Sequence, residues 1–411
     1  MRADPPQARL LDLSRLLSRA GRVLTGVDRV ERAYLRALLA SEVPAYGLIR
    51  TPLGFLLLDA QGMKTLCDKI DGTLPWGPAS RLSKLFSKLP VALQRALTDA
   101  RKLAVARCTR RRLGAMLKRH LPANTAYLNT GHSNLSEAVV SGVTALKGAS
   151  IAVFVHDVIP LELPEFQRSG TVARFEAFLR RTAQEADLVI YNSSASQAAA
   201  EAHMAGFGRV PRGIVAHLGV ELATPDHSTL PVGLPVSEPY FLCVGTIEPR
   251  KNHMFLLDVW EQMEKQAPPQ EMPHLLICGQ RGWKNDEFFF RFDNSRLKGR
   301  YLHEIAGLSD GAVAALLDEA AGVVFPSLAE GYGLPVLEAA GRSVPVICAE
   351  LPVYREVLGD IPVYASVQDS YLWIRRIMSL AQSRRGGQKP EQEAFTPPSW
   401  DAHFNLVLSE T

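Results

Sequence analysis

Short apolar runs recur along the chain, and between many of them the apolar positions return at three- and four-residue intervals. A continuous apolar run reads as a strand buried on both faces, the longer interval as a helix with one buried stripe. In the first half the runs predict strands over Ala8–Leu13, Gly47–Arg50, Phe55–Leu58, Thr125–Leu128, Ile151–His156, Leu188–Asn192 and Gly213–Ala216. Helices are predicted over Asp28–Leu39, Val172–Ala186 and Ser194–Ala205. The second half repeats the alternation, with strands over Tyr240–Val244, His274–Cys278, Tyr301–His303, Gly322–Phe325 and Val344–Cys348. Its helices are expected over His253–Lys265, Gly311–Ala320 and Pro335–Gly341. Strand and helix in turn imply α/β layers with parallel sheets.

The alternation stops over Glu221–Pro239, where Pro225, Pro231, Pro235 and Pro239 leave no periodicity, as in an interdomain linker. The chain then divides into a domain over 1–225, a second over 238–390, and a polar tail with a short helix over 391–411. In that helix Trp400, Phe404 and Leu408 repeat at four-residue spacing. Two doubly wound domains facing across a cleft follow, with chemistry expected in the loops at the carboxyl ends of the strands.

Composition narrows this only a little. Hydrophobic residues at 47 % and charged residues at 21 % exclude wholesale disorder. Apolar runs such as Phe55-Leu56-Leu57-Leu58 are strand-sized, short of the ~20 residues that span a bilayer. Met1-Arg2-Ala3-Asp4-Pro5-Pro6 lacks the layout of a signal peptide. The five cysteines are scattered with no CxxC pair, so a reduced, cytoplasmic chain without disulfides or structural zinc is expected.

Three stretches carry candidate chemistry. After the run at Tyr240, Gly245-Thr246-Ile247-Glu248-Pro249-Arg250-Lys251-Asn252 sets adjacent cations at a strand-to-helix turn. Free backbone N–H groups and the helix dipole favour an anion there, and Arg can grip a phosphate with two parallel bonds. A solvated basic turn would read the same way. After Gly322–Phe325 comes Glu330-Gly331-Tyr332-Gly333-Leu334-Pro335, then Glu338 on the following helix. The glycines let backbone approach a ligand, and the carboxylates can accept hydrogen bonds from sugar or ribose hydroxyls. In the first half, Gly21 to Val30 forms a glycine-containing loop before a helix, and Phe154-Val155-His156-Asp157-Val158-Ile159-Pro160 places His156 at a strand end. Asn129-Thr130-Gly131-His132-Ser133-Asn134 follows another strand, either as an acceptor-side wall or as an ordinary polar loop. Asn192-Ser193-Ser194 reads as a helix cap rather than a glycosylation site.

Glu330 through Glu338 resembles the Glu-x7-Glu motif of the retaining family 4 glycosyltransferases with a GT-B fold, and Gly245 through Lys251 resembles their Gly-x-x-x-Pro-Arg-Lys turn. The resemblance implies a GT-B pair of Rossmann-like domains and a metal-independent hexosyltransferase without a cofactor. Arg250 and Lys251 would then bind the donor diphosphate and stabilise charge on the leaving group. Glu338 would bond the ribose hydroxyls. Glu330, with the N–H groups of Gly331, Tyr332, Gly333 and Leu334, would hold the donor sugar. Gly245, Gly26 and Val27 would approach the donor phosphates, and Gly279 and Arg281 the base. In relatives of this type a His-Asp pair faces the donor sugar, which puts His156 in the catalytic set. Asp157 and His132 are the acceptor-side candidates.

The Pro-Arg-Lys-Asn turn resembles bacterial polysaccharide mannosyltransferases, implying GDP-mannose as donor and a glycan or lipid-linked acceptor. The rivals are another GT-B enzyme, such as a nucleotide-sugar epimerase, and a non-catalytic nucleotide-sugar binder. A dehydrogenase is excluded because no GxGxxG follows a strand.

Charge changes the picture once it is located. The formal net charge is +4, yet residues 81–120 hold twelve Lys/Arg against the one acid Asp99. There Leu93, Leu97, Ala100, Ala104 and Cys108 fall at helical spacing, as do Leu113, Met116 and Leu117, describing basic amphipathic helices. Either a solvated basic face or a peripheral seat on the inner, anionic face of a membrane is implied. Nucleic acid is not expected, since Phe86 alone is interleaved among the cations.

Overall fold

The structure is a computed structural model that describes residues 5–388 and 394–411. The first four residues of the N-terminal reading, and the boundary expected at 390/391, lie outside the described residues. The first lobe is an eight-stranded sheet ordered β4-β3-β2-β1-β5-β6-β7-β8. Its strands are β1 (Ala8–Asp12), β2 (Ala45–Thr51), β3 (Gly54–Leu58), β4 (Ala106–Cys108), β5 (Thr125–Asn129), β6 (Ser150–Val155), β7 (Leu188–Tyr191) and β8 (Arg212–Val215). The second lobe is a six-stranded sheet ordered β11-β10-β9-β12-β13-β14. It comprises β9 (Tyr240–Val244), β10 (His274–Cys278), β11 (Leu302–Ile305), β12 (Gly322–Phe325), β13 (Val346–Cys348) and β14 (Val363–Tyr364). Every residue of β1, β3 and β5 is buried, which is why these strands read as unbroken apolar runs.

Two expectations need correction. The first sheet is not wholly parallel: β2–β3 and β3–β4 pair antiparallel. Pro52-Leu53 closes a two-residue hairpin between Thr51 and Gly54, a connection too short for a parallel crossover. The basic segment is not helical through Cys108. Its helix, Val91–Leu103, ends before β4, whose Phe55↔Cys108 and Leu57↔Ala106 register sets alternate side chains inward and sends Arg107 out to solvent. A second helix, Leu113–His120, then buries Leu113, Met116 and Leu117 as the spacing implied.

Residues 221–239 form the crossing between lobes, irregular apart from a single turn at His227–Thr229. The Trp400–Glu410 helix does not stand apart as a tail but docks back on the first lobe. Arg9 donates to the carbonyls of Leu408 and Thr411 at 2.8 and 3.1 Å, and the Tyr34 hydroxyl meets His403 Nε2 at 2.9 Å. In each sheet the strand order reverses beside the first strand, at β1/β5 and at β9/β12. The carboxyl ends of these strands are where such sheets hold ligands. Among the described residues no helix is long and apolar enough to cross a membrane.

Candidate functional site

The two sets of strand ends enclose a cavity of about 1030 Å³ lined by both lobes. Its second-lobe wall is built on the loop after β9. Gly245 takes φ +138°, and its N–H donates to the Cys278 carbonyl at 3.0 Å, so the backbone turns off the strand beside β10. Pro249–Lys251 is one helical turn, closed by Asn252 in the left-handed region before the His253–Gln266 helix. That turn presents Arg250 and Lys251 to the loop after β12.

There Glu330 is the centre of the cluster. Its Oε1 accepts from Lys251 Nζ at 2.6 Å and Ser327 Oγ at 2.7 Å, and its Oε2 accepts from Arg250 Nη1 at 2.7 Å. Arg250 also bonds the Ala329 carbonyl at 2.9 Å and pairs with Glu248 at 2.7 Å. Burial alone would raise the Glu330 carboxyl, but Lys251 and Arg250 outweigh it and hold it at about 2. Glu330 is therefore ionised, and its oxygens already accept from three side chains of its own chain. In this arrangement Glu330 fixes the two cations.

Gly333 lies at φ +100°, where a Cβ would meet the Tyr354 ring at 2.4 Å, and it starts the Leu334–Gly341 helix. Gly331, Gly333 and Leu334 line the cavity, as does Tyr332, whose hydroxyl donates to the Leu218 carbonyl at 3.1 Å. Glu338 lines it too, but its Oε1 accepts from Arg29 Nη1 at 2.7 Å. Burial raises its carboxyl, with Arg29 opposing. Arg29 also donates to Asp310 at 2.5 Å, so one first-lobe arginine bridges two second-lobe acids. Gly279 and Arg281 are on the same wall; Arg281 is bound by Asp293 and Glu304.

On the first-lobe wall, Gly26 and Val27 open the Gly26–Ala40 helix. A Cβ on Gly26 would sit 3.6 Å from Leu334, so the two loops face each other across the cleft. His156 lines the cavity with Nε2 2.7 Å from the Thr130 carbonyl; since a carbonyl only accepts, Nε2 carries the proton and Nδ1 the lone pair. Burial lowers its pKa to about 4, so the ring is neutral at pH 7. Asp157 lies against Gly331, whose Cβ would fall 2.7 Å from its Oδ2; burial raises Asp157, with Arg250 opposing. His132 does not reach the cavity. Its Nε2 accepts the His156 N–H at 2.8 Å while its ring packs among His156, Phe175 and Phe178, so it backs the site rather than lining it.

The structure adds residues that the sequence reading did not select. Besides Arg29 these are Arg15, Arg19 and Arg22 on the first-lobe wall. A second bridge joins the lobes where Trp283 Nε1 donates to the Phe166 carbonyl at 2.9 Å beneath the Arg168 guanidinium. Arg29 stood within the Gly21–Val30 loop already singled out, but nothing in its neighbours points to acids so distant in the chain.

Comparison with known proteins agrees with this architecture. Residues 231–371 match the family described as glycosyl transferases group 1. The serotype-specific mannosyltransferase WbdA of Escherichia coli is 25 % identical over 375 residues, covering 87 % of this chain and 40 % of that protein. O-antigen chain mannosyltransferase B of Escherichia coli is 33 % identical over 130 residues, covering 32 % of this chain and 33 % of the relative. The chain thus spans two fifths or less of these relatives' length. Among solved structures, Anabaena HepE in complex with UDP and glucose superposes with a TM-score of 0.59 at 15 % identity, covering 98 % of this chain and 95 % of that one. At that identity the likeness is one of fold. The chain carries a group 1 glycosyl transferase domain on a GT-B frame. It is homologous to WbdA and to other O-antigen mannosyltransferases.

Proposed function

We propose that this protein is a retaining glycosyltransferase that moves a hexose, mannose by preference, from a nucleoside diphosphate sugar to a hydroxyl of a glycan or lipid-linked acceptor. The observation that carries the reading is the Arg250–Lys251 turn, pinned by Glu330 at 2.6–2.7 Å on the cavity wall that also holds Glu338, with His156 and Asp157 on the wall of the other lobe. The bond from the sugar's C1 to the diphosphate breaks with its electron pair leaving on phosphate. Oriented N–H groups of Arg250 and Lys251 meet that developing charge, and the leading end of the Leu334–Gly341 helix points its dipole the same way. The acceptor oxygen bonds C1 on the face the diphosphate vacates, and its proton passes to the departing phosphate oxygen. Neither a protein nucleophile nor a metal ion is part of this scheme.

The choice of mannose is supported by the likeness to WbdA and O-antigen chain mannosyltransferase B, both mannosyltransferases, and GDP-mannose is the donor this reading expects. A panel of nucleotide sugars tests it by thermal unfolding, since a ligand that binds only the folded state raises the midpoint, by about 2.7 kcal/mol of stability at a hundredfold excess over Kd. GDP-mannose is expected to give the largest shift, and incubation with a hydroxyl acceptor to give an α-linked product. A panel in which no nucleotide sugar shifts the midpoint, or a reaction yielding only an epimerised sugar nucleotide, would overturn the reading.

The reading includes a seat on the inner, anionic face of the cytoplasmic membrane. Of the twelve cations in 81–120, all but Arg101 are exposed, and Leu85 and Val91 stand among them 76 % and 62 % exposed. At about 1 kcal/mol for each basic residue near such a surface, a few contacts suffice to hold the protein there. Sedimentation with vesicles containing phosphatidylglycerol is expected at low salt and should be lost at high salt, where surface charge is screened. Equal sedimentation with purely zwitterionic vesicles would refute an electrostatic seat.

A further inference from the structure

On the second-lobe wall Arg250 and Lys251 each have a carboxylate partner, Glu248 or Glu330. On the first-lobe wall Arg29 is likewise matched by Glu338 and Asp310, but Arg15, Arg19 and Arg22 are not matched one for one. Arg15 and Arg19 both pair with Asp28, and both do so through Nε alone, at 2.9 and 3.0 Å. Asp28 is fully buried, and the Thr25 N–H and hydroxyl also donate to its Oδ2, at 2.8 and 2.6 Å. It therefore acts as a fixed post from which two guanidinium groups project. Among the described residues the four terminal nitrogens of Arg15 and Arg19 have no protein acceptor, although the two side chains are only 30 % and 24 % exposed. Arg22 lines the same wall and has no ion pair among the described residues.

Two further acids, Glu31 and Asp12, lie close to this group, and Arg15 draws the Glu31 carboxyl back down against its burial. Glu31 is buried, and burial and the neighbouring Asp12 push its carboxyl well up; its Oε2 has no hydrogen-bond partner. Burial likewise raises Asp12, which takes bonds from Tyr127 and Asn134. A neutral glycan would leave most of those four terminal nitrogens without a charged partner. Planar guanidinium forks with both terminal nitrogens free match the oxygens of a phosphate.

We propose that Arg15, Arg19 and Arg22 form a phosphate subsite of the first lobe, separate from the Arg250–Lys251 turn. Its occupant is a phosphate ester carried by the acceptor, or the outer reach of the donor's own diphosphate. The proposal rests on the glycosyltransferase reading only for those two names. Asp28 is the positioning residue that aims the two forks.

Titration calorimetry on the full chain separates the two sources. With the donor site saturated by GDP, wild-type protein is expected to bind α-mannose 1-phosphate at least tenfold more tightly than methyl α-mannoside, and less tightly as salt is added. Arg22→Gln, whose side chain supports no other group, and Arg19→Gln are each expected to lose roughly tenfold toward the sugar phosphate and none toward the methyl glycoside. That pattern assigns the subsite to the acceptor's phosphate. A tenfold loss confined to GDP affinity assigns it to the donor's diphosphate. If neither ligand binds more weakly to the two variants, the subsite does not exist. Failure of the wild type to bind any nucleoside diphosphate would count against the donor reading, and binding of α-mannose 1-phosphate to the nucleotide-free protein would still report on the arginines.

Discussion

Glu330→Gln is expected to lower transfer by roughly 10²- to 10³-fold, the range seen when one preorganised donor to a developing oxyanion is lost. The substitution keeps the shape of the side chain and removes the charge that holds Lys251 and Arg250 at 2.6 and 2.7 Å. One of its two new N–H groups must then face an ammonium or guanidinium that previously met an oxygen. The cations are freed to turn toward the nearby Glu248 or to solvent, and the cost is felt when charge builds on the departing diphosphate. The loss should therefore sit in kcat more than in the affinity for a nucleoside diphosphate. Arg250→Ala removes a member of the same cluster, so the double variant should be little slower than the slower single one. Steady-state kinetics of the two single variants and the double variant check this. Losses that multiply would mean that Glu330 acts apart from Arg250.

The legible parts of this protein are those written in adjacent residues. Unbroken apolar runs marked the central strands because β1, β3, β5 and β12 are buried on both faces, and glycines next to Glu330 and Lys251 next to Arg250 marked the second-lobe wall. What stayed hidden depends on partners far away in sequence. Arg29 reaches acids 281 and 309 residues further on. The Trp400–Glu410 helix was visible as a helix, but the Arg9 that receives it lies 399 residues before Leu408. His132 shows the opposite failure: a histidine after a strand looked like a site residue, yet an N–H acceptor for His156 presents the same local pattern. The β4 strand was lost because three residues at period two are outweighed by helical spacing on both sides of them. Arg15 and Arg19 read along the chain only as charges interrupting an apolar stretch, and the fold alone shows that Asp28 gathers them.

Gly279→Ala should lower the unfolding midpoint by roughly 6–12 °C and weaken nucleoside diphosphate binding at least tenfold. A methyl group there would lie 1.9 Å from the Gly245 carbonyl oxygen and 2.7 Å from its carbon, both backbone atoms that cannot swing aside. The two loops must separate by more than an ångström, across a seam where the N–H groups of Gly245 and Ile247 donate to Cys278 and Gln280 at 3.0 and 2.9 Å. Overpacking of this kind costs about 1–3 kcal/mol, and each buried bond left unmade a similar amount, so a total of about 3 kcal/mol or more is expected. At about 2–4 °C per kcal/mol, that gives the stated shift. The functional loss follows from geometry, because Gly245 begins the loop that ends in Arg250 and Lys251, and moving its first residue misaims both cations. Gly299→Ala provides the control. Gly299, unlike Gly279, has a left-handed backbone, at φ +75°, but nothing lies within 4 Å of its missing Cβ. That change should cost about 1 kcal/mol of backbone strain and leave nucleotide affinity as it was. If the two variants behave alike in calorimetry and in binding, the close approach of these loops is not what shapes the donor wall.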